Sequence, residues 1–353
     1  MAGIRRFTPD DVASVVALRQ RAFAHSAHSC AADAEAYFHE IFFRSPWTDP
    51  ELSSLVSEDA AGNIVGFLGI IPRRMQFQGQ PIRVAVPTQI AVAPEHRGIA
   101  GVLLLKRLLA GPQDLTLSDV VNDTMRVLWE RLGGTTLALH SLQWIHALAP
   151  VTFSAARIPG SVAWRVARRA LRPLLRFGDA AATRARRREE RHRPRGTALD
   201  PASLNGDAGA FTSGQLVGNY SGQDLAWLLA QTARKPDCSG LRVVSVDEEG
   251  ARLGWYAYVP RRGEIADVVH VAAPTGKYAS VLAHLVADAR ERGGLALRGR
   301  FEPRHVREWT EPAQVACDGP WVTAYSKRPE LIAALHRPDA QLSRLDAEWW
   351  LNF

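Results

Sequence analysis

The sequence predicts an α/β protein, of the α+β kind with mixed sheets, built as two domains that are each a twisted mixed sheet flanked by helices. Three observations lead to this prediction. The chain has 353 residues, about twice the size of a common domain. Helical and strand patterns alternate along it. The order of elements in residues 50–120 returns in the second half with little residue identity, which is typical of a tandem repeat of one fold.

The first half begins with clear helix signals. Thr8 suits a helix N-cap and Pro9 the first helical position, and the aspartates that follow complement the helix dipole. The predicted elements are, in order, a strand in IRRF, helices in VASVVALRQRAF and AEAYFHEIFFRS, strands at 52–57, 64–71 and 82–92, a helix in GVLLLKRLLAG, a strand in LTLSDVV and a helix in DTMRVLWERLGG. Pro87 is expected to interrupt the third of the central strands.

The second half repeats this order in outline. It contains a helix in QDLAWLLAQ, a hairpin around Glu249-Gly250, a strand in EIADVVHVAAP, a helix in YASVLAHLVADARERGG and a strand in LALRGRF. We therefore predict an amino-terminal domain over residues 1–156, an arginine-rich helix and exposed linker over 157–215, and a second domain over 216–353.

Composition places the chain among globular proteins. Hydrophobic residues make up 46% and charged residues 22%, enough apolar material for two cores. Cys30, Cys238 and Cys317 form no CxxC pair, which argues against a disulfide scaffold or a zinc cluster and for a reducing compartment. No apolar signal core and no stretch approaching the ~20 apolar residues of a membrane span are present. We expect a soluble, cytoplasmic protein.

The net charge of +7 is local. Residues 157–195 hold thirteen arginines and three acidic residues, whereas the rest of the chain holds 30 basic and 33 acidic residues. This excludes a surface that coats nucleic acid throughout. Residues 157–177 have the pattern of an amphipathic basic helix that Pro173 would kink. Two interpretations stay open: a linker packed on one side, or an interfacial helix that contacts an anionic membrane.

The segment AVAPEHRGIAG carries the strongest chemical signal. A strand ends, a short loop with Arg, Gly and Ala follows, and a Leu-rich helix begins. Small residues let the backbone approach a ligand, and the unpaired amides at a helix start favour a phosphate. The pattern lacks the GK[ST] of a P-loop and is not GxGxxG. An ordinary strand-to-helix turn is the alternative interpretation.

This segment resembles the acyl-CoA pyrophosphate loop of the GCN5-related N-acetyltransferase (GNAT) superfamily, V-x-P-x-x-R-G-x-G-x-G/A. A second match follows that superfamily's N-x-x-A-x-x-L-Y-x-K-x-G-F spacing and consists of Asn122, Met125, Leu128, Trp129, Arg131 and Gly133. The resemblance covers residues 4–150, whereas the second half offers AAPTGKYAS in place of the loop. It implies a tandem N-acyltransferase whose first copy binds acetyl-CoA or another acyl-CoA and whose second copy shapes the substrate cleft.

The resemblance also implies the site. Acyl-CoA would lie where the strand 89–92 splays from the strand 115–121, with the pantetheine arm on Ile90 and Val92, and with an oxyanion held by an amide near Ile90 or Ala91. The acceptor would be a primary amine of a small molecule, a sugar or an envelope precursor. The implied cofactor-binding residues are Ile90, Ala91, Val92, Arg97, Gly98, Ile99, Ala100, Gly101, Val102 and Asn122.

Two residues are candidates for the catalytic base. Asp119 stands near the end of a strand that borders the implied cleft, and either acts as a base or caps a loop. By resemblance, the terminal carboxylate of Phe353 could act inside the cleft, whereas packing of the aromatic tail LDAEWWLNF is the alternative. No HExxH or similar spacing is present, so no metal is expected.

Three residues depart from the family's pattern. Ala100 and Val102 stand where the family has small loop residues, and an alanine forced to positive φ would cost about 1 kcal/mol. Trp129 stands where the family often has a tyrosine that protonates the thiolate, and an indole N–H is not a usable acid. These departures favour a second hypothesis: a non-catalytic acyl-CoA-binding or scaffold protein on the same fold, peripheral to a membrane through residues 157–177.

Overall fold

The computed structural model describes residues 3–23, 33–158, 171–183, 195–204, 215–274, 276–306, 308, 313–316 and 319–352. Contacts divide the chain into two units. The first consists of Met1–Ala138, Gly214–Tyr220 and Pro320–Phe353, and the second of Leu139–Ser213 and Ser221–Gly319. Each unit has its own mixed sheet flanked by helices, which confirms the predicted fold class.

The first unit is built on an eight-stranded sheet. Its strands follow the order β1-β2-β3-β4-β5-β15-β6, and β9 pairs with β3. The strands are β1 (Gly3–Arg6), β2 (Leu55–Glu58), β3 (Ile64–Phe77), β4 (Gln80–Val92), β5 (Leu115–Val121), β6 (Thr135–Thr136), β9 (Leu216–Gly218) and β15 (Trp321–Tyr325). Its helices are α1 (Val12–Ala22), α2 (Ala34–Phe43), α3 (Ile99–Leu109), α4 (Asp123–Arg131) and α10 (Pro329–Leu335).

Strand alternation gives this sheet two buried faces. Phe67 packs with Val15 of α1 and Phe38 of α2, whereas the next residue, Leu68, packs with Leu104 of α3 on the other side. Successive side chains of a strand point to opposite faces, so a sheet covered on both sides has almost continuously apolar strands. This explains the rich apolar run of β3 that the sequence shows.

The second unit is built on a seven-stranded sheet with the order β14-β7-β13-β12-β11-β10-β8. Its strands are β7 (Gln143–Ala147), β8 (Arg195–Ala198), β10 (Arg242–Glu248), β11 (Ala251–Val259), β12 (Ile265–Ala272), β13 (Ala296–Arg300) and β14 (Ala313–Ala316). Its helices are α6 (Pro150–Arg157), α7 (Arg172–Thr183), α8 (Gly222–Ala233) and α9 (Tyr278–Glu291), and α5 (Ala138–Ser141) lies at the boundary of the two units.

The two sheets repeat one sequence of pairings. In the first, β2, β3 and β4 are antiparallel neighbours and β4 is parallel to β5 across helix α3. In the second, β10, β11 and β12 are antiparallel and β12 is parallel to β13 across helix α9. The strand beyond the parallel pair is distant in sequence in both sheets: β15 pairs with β5, and β7 pairs with β13.

The observed units therefore differ from the predicted boundaries at 156 and 215. Strand β7, placed by sequence in the first domain, lies in the second sheet, and residues 320–353 return to the first unit. The segment expected to be an exposed linker contributes β8, which pairs with β10 at the sheet edge. A four-residue edge strand has too short a pattern to be recognised by alternation.

The arginine-rich segment is described in part. Helix α7 starts at Arg172 and runs past Phe177 to Thr183, so Pro173 lies in the first turn of the described helix rather than at a kink within it. Proline is tolerated there because the amide it lacks has no helical acceptor. Residues 159–170 of the predicted basic helix lie outside the described residues.

A buried polar network holds the carboxyl-terminal segment 341–352 in the first unit. The guanidinium of Arg73 on β3 donates from Nη2 to the Leu345 carbonyl at 2.7 Å and to the Tyr220 hydroxyl at 2.8 Å. The Tyr220 hydroxyl donates to Asp346, whose other oxygen accepts from the backbone and side chain of Ser343. Arg73 also stacks over Trp47 at 4.1 Å. Every group in this network depends on its partners, since a buried charge without one is strongly unfavourable.

We predict that Asp346→Ala lowers the free energy of unfolding of the first unit by about 3 kcal/mol or more. It leaves the buried donors of Tyr220 and Ser343 without their acceptor and removes the carboxylate to which Arg73 is linked through Tyr220. Urea unfolding monitored by tryptophan fluorescence measures the change. Asp339→Ala is the matched control, because Asp339 lies in the preceding loop with its side chain exposed. Equal effects of the two substitutions would contradict the role of the network.

Candidate active site

Strands β4 and β5 separate after a very short stretch of parallel pairing. Their parallel contact consists of Val84 with Leu115 and Ala85 with Thr116. Beyond these pairs β4 continues to Val92 and β5 to Val121, and the two strands no longer pair with each other. The opening between them is a cleft of about 750 Å³ in the first unit. We call this space the β4–β5 cleft.

A bulge in β4 lies at the mouth of the split. Opposite β3, Thr88 pairs with Gly69 and Ala91 with Phe67, so Gln89 and Ile90 face the single residue Leu68. Gln89 has a φ of +51°, and its side-chain oxygen accepts a 2.7 Å hydrogen bond from Nε of Arg19. A bulge of this kind turns backbone groups out of the ladder. Ile90 and Val92 line the β4–β5 cleft, whereas the side chain of Ala91 packs in the core beside α1.

The start of helix α3 forms one wall of the cleft. Gly98 is its N-cap, with a φ of +98° that favours glycine, and Arg97, Gly98, Gly101 and Val102 line the cleft. The Val102 amide bonds to the Gly98 carbonyl at 3.4 Å, and the Arg97 amide to Pro94 at 3.4 Å. The first turn of a helix leaves its amides without helical acceptors. The residues from Gly98 to Gly101 are therefore the ones whose amides suit an anion.

The strain expected at Ala100 is not found. Ala100 lies within the regular helix α3, buried, and positive φ falls at Gly98 instead. A Cβ built on Gly66 of β3 would lie 3.8 Å from that of Ala100 and 3.1 Å from Leu104, so small residues on both elements let α3 pack closely on the sheet. Ile99, the residue before Ala100, has 76% of its side chain exposed.

Two further predicted positions lie on the β5 side of the cleft. Asn122 is the N-cap of α4, and its side-chain oxygen accepts a 2.9 Å bond from the Met125 amide. Trp129 lies one helix turn beyond Met125, is 2% exposed, and joins the core cluster beneath α3 while bordering the cleft. Val120 is 49% exposed in a strand that is otherwise buried, and it presents an apolar surface to the cleft.

Asp119 is fully buried and hydrogen-bonded to the carboxyl-terminal segment. Its Oδ1 accepts hydrogen bonds from the amides of Glu348 at 2.9 Å and Trp349 at 3.0 Å. Of the two roles that the sequence left open, the structure shows the capping contacts. Further along the segment, the Asn352 amide donates to the Tyr37 hydroxyl at 2.9 Å. The second candidate base, Phe353, lies outside the described residues.

Glu348 is the cleft residue that the sequence analysis missed. Its carboxylate borders the β4–β5 cleft and accepts a 2.5 Å hydrogen bond from Ser118 of β5. The Thr88 hydroxyl of β4 and the Val120 amide also donate to it. Burial, reinforced by the charge of Asp119, raises its pKa from 4.5 to about 7. A carboxylate directly before two tryptophans, in a tail predicted to dock, was the available signal.

The described residues offer neither a metal site nor a membrane-spanning helix. They contain no group of three His, Cys, Asp or Glu side chains arranged to hold a metal ion. Among their helices, none combines the length and the apolar character needed to cross a bilayer.

Residues 3–111 match the family model described as an acetyltransferase (GNAT) domain. The chain carries a GNAT domain. This confirms the superfamily that the motif predicted, and with it an acetyltransferase-like enzyme built on a fold that binds acyl-CoA. A search of curated protein sequences returned no significant match.

Solved structures extend the GNAT fold beyond that domain. A GCN5-related N-acetyltransferase from Anabaena variabilis shares 11% identity, with 93% of this chain and 74% of that chain covered at a TM-score of 0.60. A probable N-acyltransferase from Enterococcus faecalis shares 11% identity, with 96% of this chain and 74% of that chain covered at a TM-score of 0.53. Eis1 from Mycobacterium abscessus shares 14% identity, with 91% of this chain and 73% of that chain covered at a TM-score of 0.54. At these identities the likeness concerns the fold.

We predict that Glu348→Gln makes this GNAT protein more stable than wild type at pH 8, by up to about 3 kcal/mol. The folded state holds the proton of Glu348 up to about pH 7 and the unfolded state only to about 4.5. The wild type therefore loses stability as the pH rises from about 4.5 past 7, whereas the Glu348→Gln variant does not. Below pH 4.5 the two proteins should coincide.

Urea unfolding at pH 4, 6 and 8 measures the difference. Glu35→Gln serves as the control, because Glu35 is exposed in the first turn of α2 and should show no such pH-dependent gain. A constant difference between Glu348→Gln and wild type across this range would contradict the raised pKa.

Proposed function

We propose that the chain is an acyl-CoA-dependent N-acyltransferase that moves an acetyl or longer acyl group from CoA to a primary amine of a small molecule, a sugar or an envelope precursor. The observation that carries the proposal is the β4–β5 cleft. Its walls are a bulged strand end and a glycine-started helix, and the GNAT match covers both. Thioester, amine and phosphate groups can each find a suitable partner along this opening.

The cofactor's phosphates are assigned to the start of α3. The amides from Gly98 to Gly101 and the positive end of the helix dipole favour an anion there. Arg97 is exposed beside them, and its Nη2 makes a single 3.3 Å bond to the Ala22 carbonyl, so the guanidinium can reach a phosphate at low cost. The remaining predicted contact, Asn122, borders the cleft with its amide nitrogen available beside its capping oxygen.

The acyl group is assigned to the split itself. Ile90 and Val92 line the cleft, where their backbone groups would hold a pantetheine arm, and an amide near Ile90, in the bulge, would stabilise the developing oxyanion. Direct transfer then needs the amine positioned against the thioester carbonyl and a group that accepts its proton. Apolar surface from Val120 and Met125 borders the same space.

A non-catalytic acyl-CoA-binding protein is the second candidate function. Trp129 favours it, because this buried indole borders the cleft and cannot give a proton to a leaving thiolate. Its membrane-peripheral form rests on helix α7, where Leu174 is 69% and Phe177 79% exposed. Such side chains suit the headgroup boundary of an anionic bilayer.

We predict that Arg97→Glu weakens the binding of CoA at least tenfold. The substitution removes a charge-assisted hydrogen bond of about 1.5–3 kcal/mol and adds repulsion, and about 1.4 kcal/mol corresponds to tenfold. Calorimetric titration with CoA, acetyl-CoA and a longer acyl-CoA should give one site per chain for the wild type.

Arg107→Glu is the charge-matched control. Arg107 is exposed in the last turn of the same helix, at the opposite end from Gly98. It should bind CoA as the wild type does. Equal weakening by both variants would indicate a general charge effect, and unchanged binding by Arg97→Glu would contradict the assignment of the phosphates to the start of α3.

A further inference from the structure

Glu348 bridges the two strands whose separation makes the cleft. Thr88, the residue before the bulge, donates to its carboxylate from β4, and Ser118 and the Val120 amide donate from β5. The pairing of these strands ends at Ala85 and Thr116, so the carboxylate lies a short way past the fork. A segment from the far end of the chain thus places one acidic group at the centre of the opening.

We propose that Glu348 is the general base of the acyl transfer, taking the proton of the amine acceptor at the fork of β4 and β5. This inference rests on the proposed function and adds to it the residue that activates the nucleophile. Nothing in the sequence motif assigns this position, because the superfamily match in this chain lies more than two hundred residues earlier.

The other acidic groups of this region are arranged differently. Asp119 is 0% and Asp346 3% exposed. Asp119 accepts from the amides of Glu348 and Trp349, and Asp346 accepts from the amide and hydroxyl of Ser343. Glu348 is partly exposed and borders the cleft. An ionised carboxylate offers about four acceptor sites, and the three donors from Thr88, Ser118 and Val120 leave one for a ligand N–H.

The electrostatics suit a base that works near neutral pH. Asp119 on β5 is the charged group that acts on Glu348, and together with burial it raises the pKa of the carboxyl to about 7. The hydroxyls of Ser118 and Thr88 and the Val120 amide act in the opposite sense. A base is most effective when its pKa lies near the working pH, since it is then largely ionised and still basic.

The proton balance of the step is simple. The carboxylate of Glu348 takes one proton from the acceptor's ammonium group. The nitrogen lone pair forms the C–N bond to the thioester carbonyl carbon, and the C–S bond breaks with its electrons on sulfur. As the amide forms, the second proton of the nitrogen passes to the leaving sulfur, so the thiolate departs as the thiol. Glu348 then returns its proton to solvent.

Three anchors hold Glu348 at this point. Asp119 fixes its backbone amide, Tyr37 of α2 fixes the chain four residues later, and the Arg73–Tyr220–Asp346 network fixes the chain before it. These are positioning residues, since they hold the segment rather than the acceptor. A catalytic group must be held within fractions of an ångström to be effective, and a tail pinned on both sides of Glu348 meets that need.

Glu348→Gln tests the proposal with little change of shape. We expect it to bind CoA as tightly as the wild type by calorimetry and to lower kcat for thiol release from acetyl-CoA by about a hundredfold or more. The acceptors are glucosamine, lysine and 1,4-diaminobutane at high concentration. In the wild type the rate should rise with pH through an apparent pKa near 7, and this limb should vanish in Glu348→Gln.

Two further variants sharpen the result. Glu348→Asp keeps a carboxylate and should retain the pH-dependent limb at a lower kcat. Glu330→Gln, at an exposed position of helix α10, should behave as the wild type. Loss of CoA binding in the wild type overturns the proposed function. With CoA binding intact, no thiol release by the wild type from any of the amines also overturns the proposed transfer. An unchanged rate in Glu348→Gln beside an active wild type overturns the role of Glu348 alone.

Discussion

The structure depends on the point where β4 leaves β5. Two parallel residue pairs hold these strands together, and the bulge at Gln89 and Ile90 then turns β4 away. From this single divergence follow the cleft, the exposure of Val120, the position of helix α3 along one wall and the opening that Glu348 occupies. A continued ladder would satisfy the same backbone groups and close the site. The bulge thus lies where the ladder gives way to the cleft.

The carboxyl-terminal segment makes the cleft a charged one. Burying Glu348 beside Asp119 is unfavourable at neutral pH, and its three hydrogen-bond donors offset only part of that penalty. The fold holds the segment in place with separate contacts outside the cleft: Arg73 bonds to the Leu345 carbonyl, and the Asn352 amide bonds to Tyr37. The stability of the first unit and the reactivity of its carboxylate are thus supplied by different residues, as is common where an active site stores strain.

Most local elements could be predicted because their signals are local. Helix α1, strand β5 and the hairpin at Glu249-Gly250 were predicted close to their observed bounds. The predicted cap, Thr8, begins a 3-10 turn at Pro9–Asp11 that leads into α1. The GNAT loop was recognised from its glycine and arginine, and Gly98 has the positive φ that such a loop needs. The strain predicted at Ala100 was wrong, because the helix starts at Ile99, two residues before the predicted start at Gly101, and includes Ala100 in its regular turns.

By itself, the sequence determined the tandem α/β architecture, the superfamily and the segment that borders the cleft, since these depend on periodicity, caps and a contiguous motif. Only the tertiary structure decided which strand completes each sheet: β15 beside β5, and β7 beside β13. It also decided that Asp119 holds a chain segment and that Glu348 reaches the fork. These facts depend on contacts between residues about a hundred and fifty positions apart or more, and short-range sequence patterns do not encode such pairings.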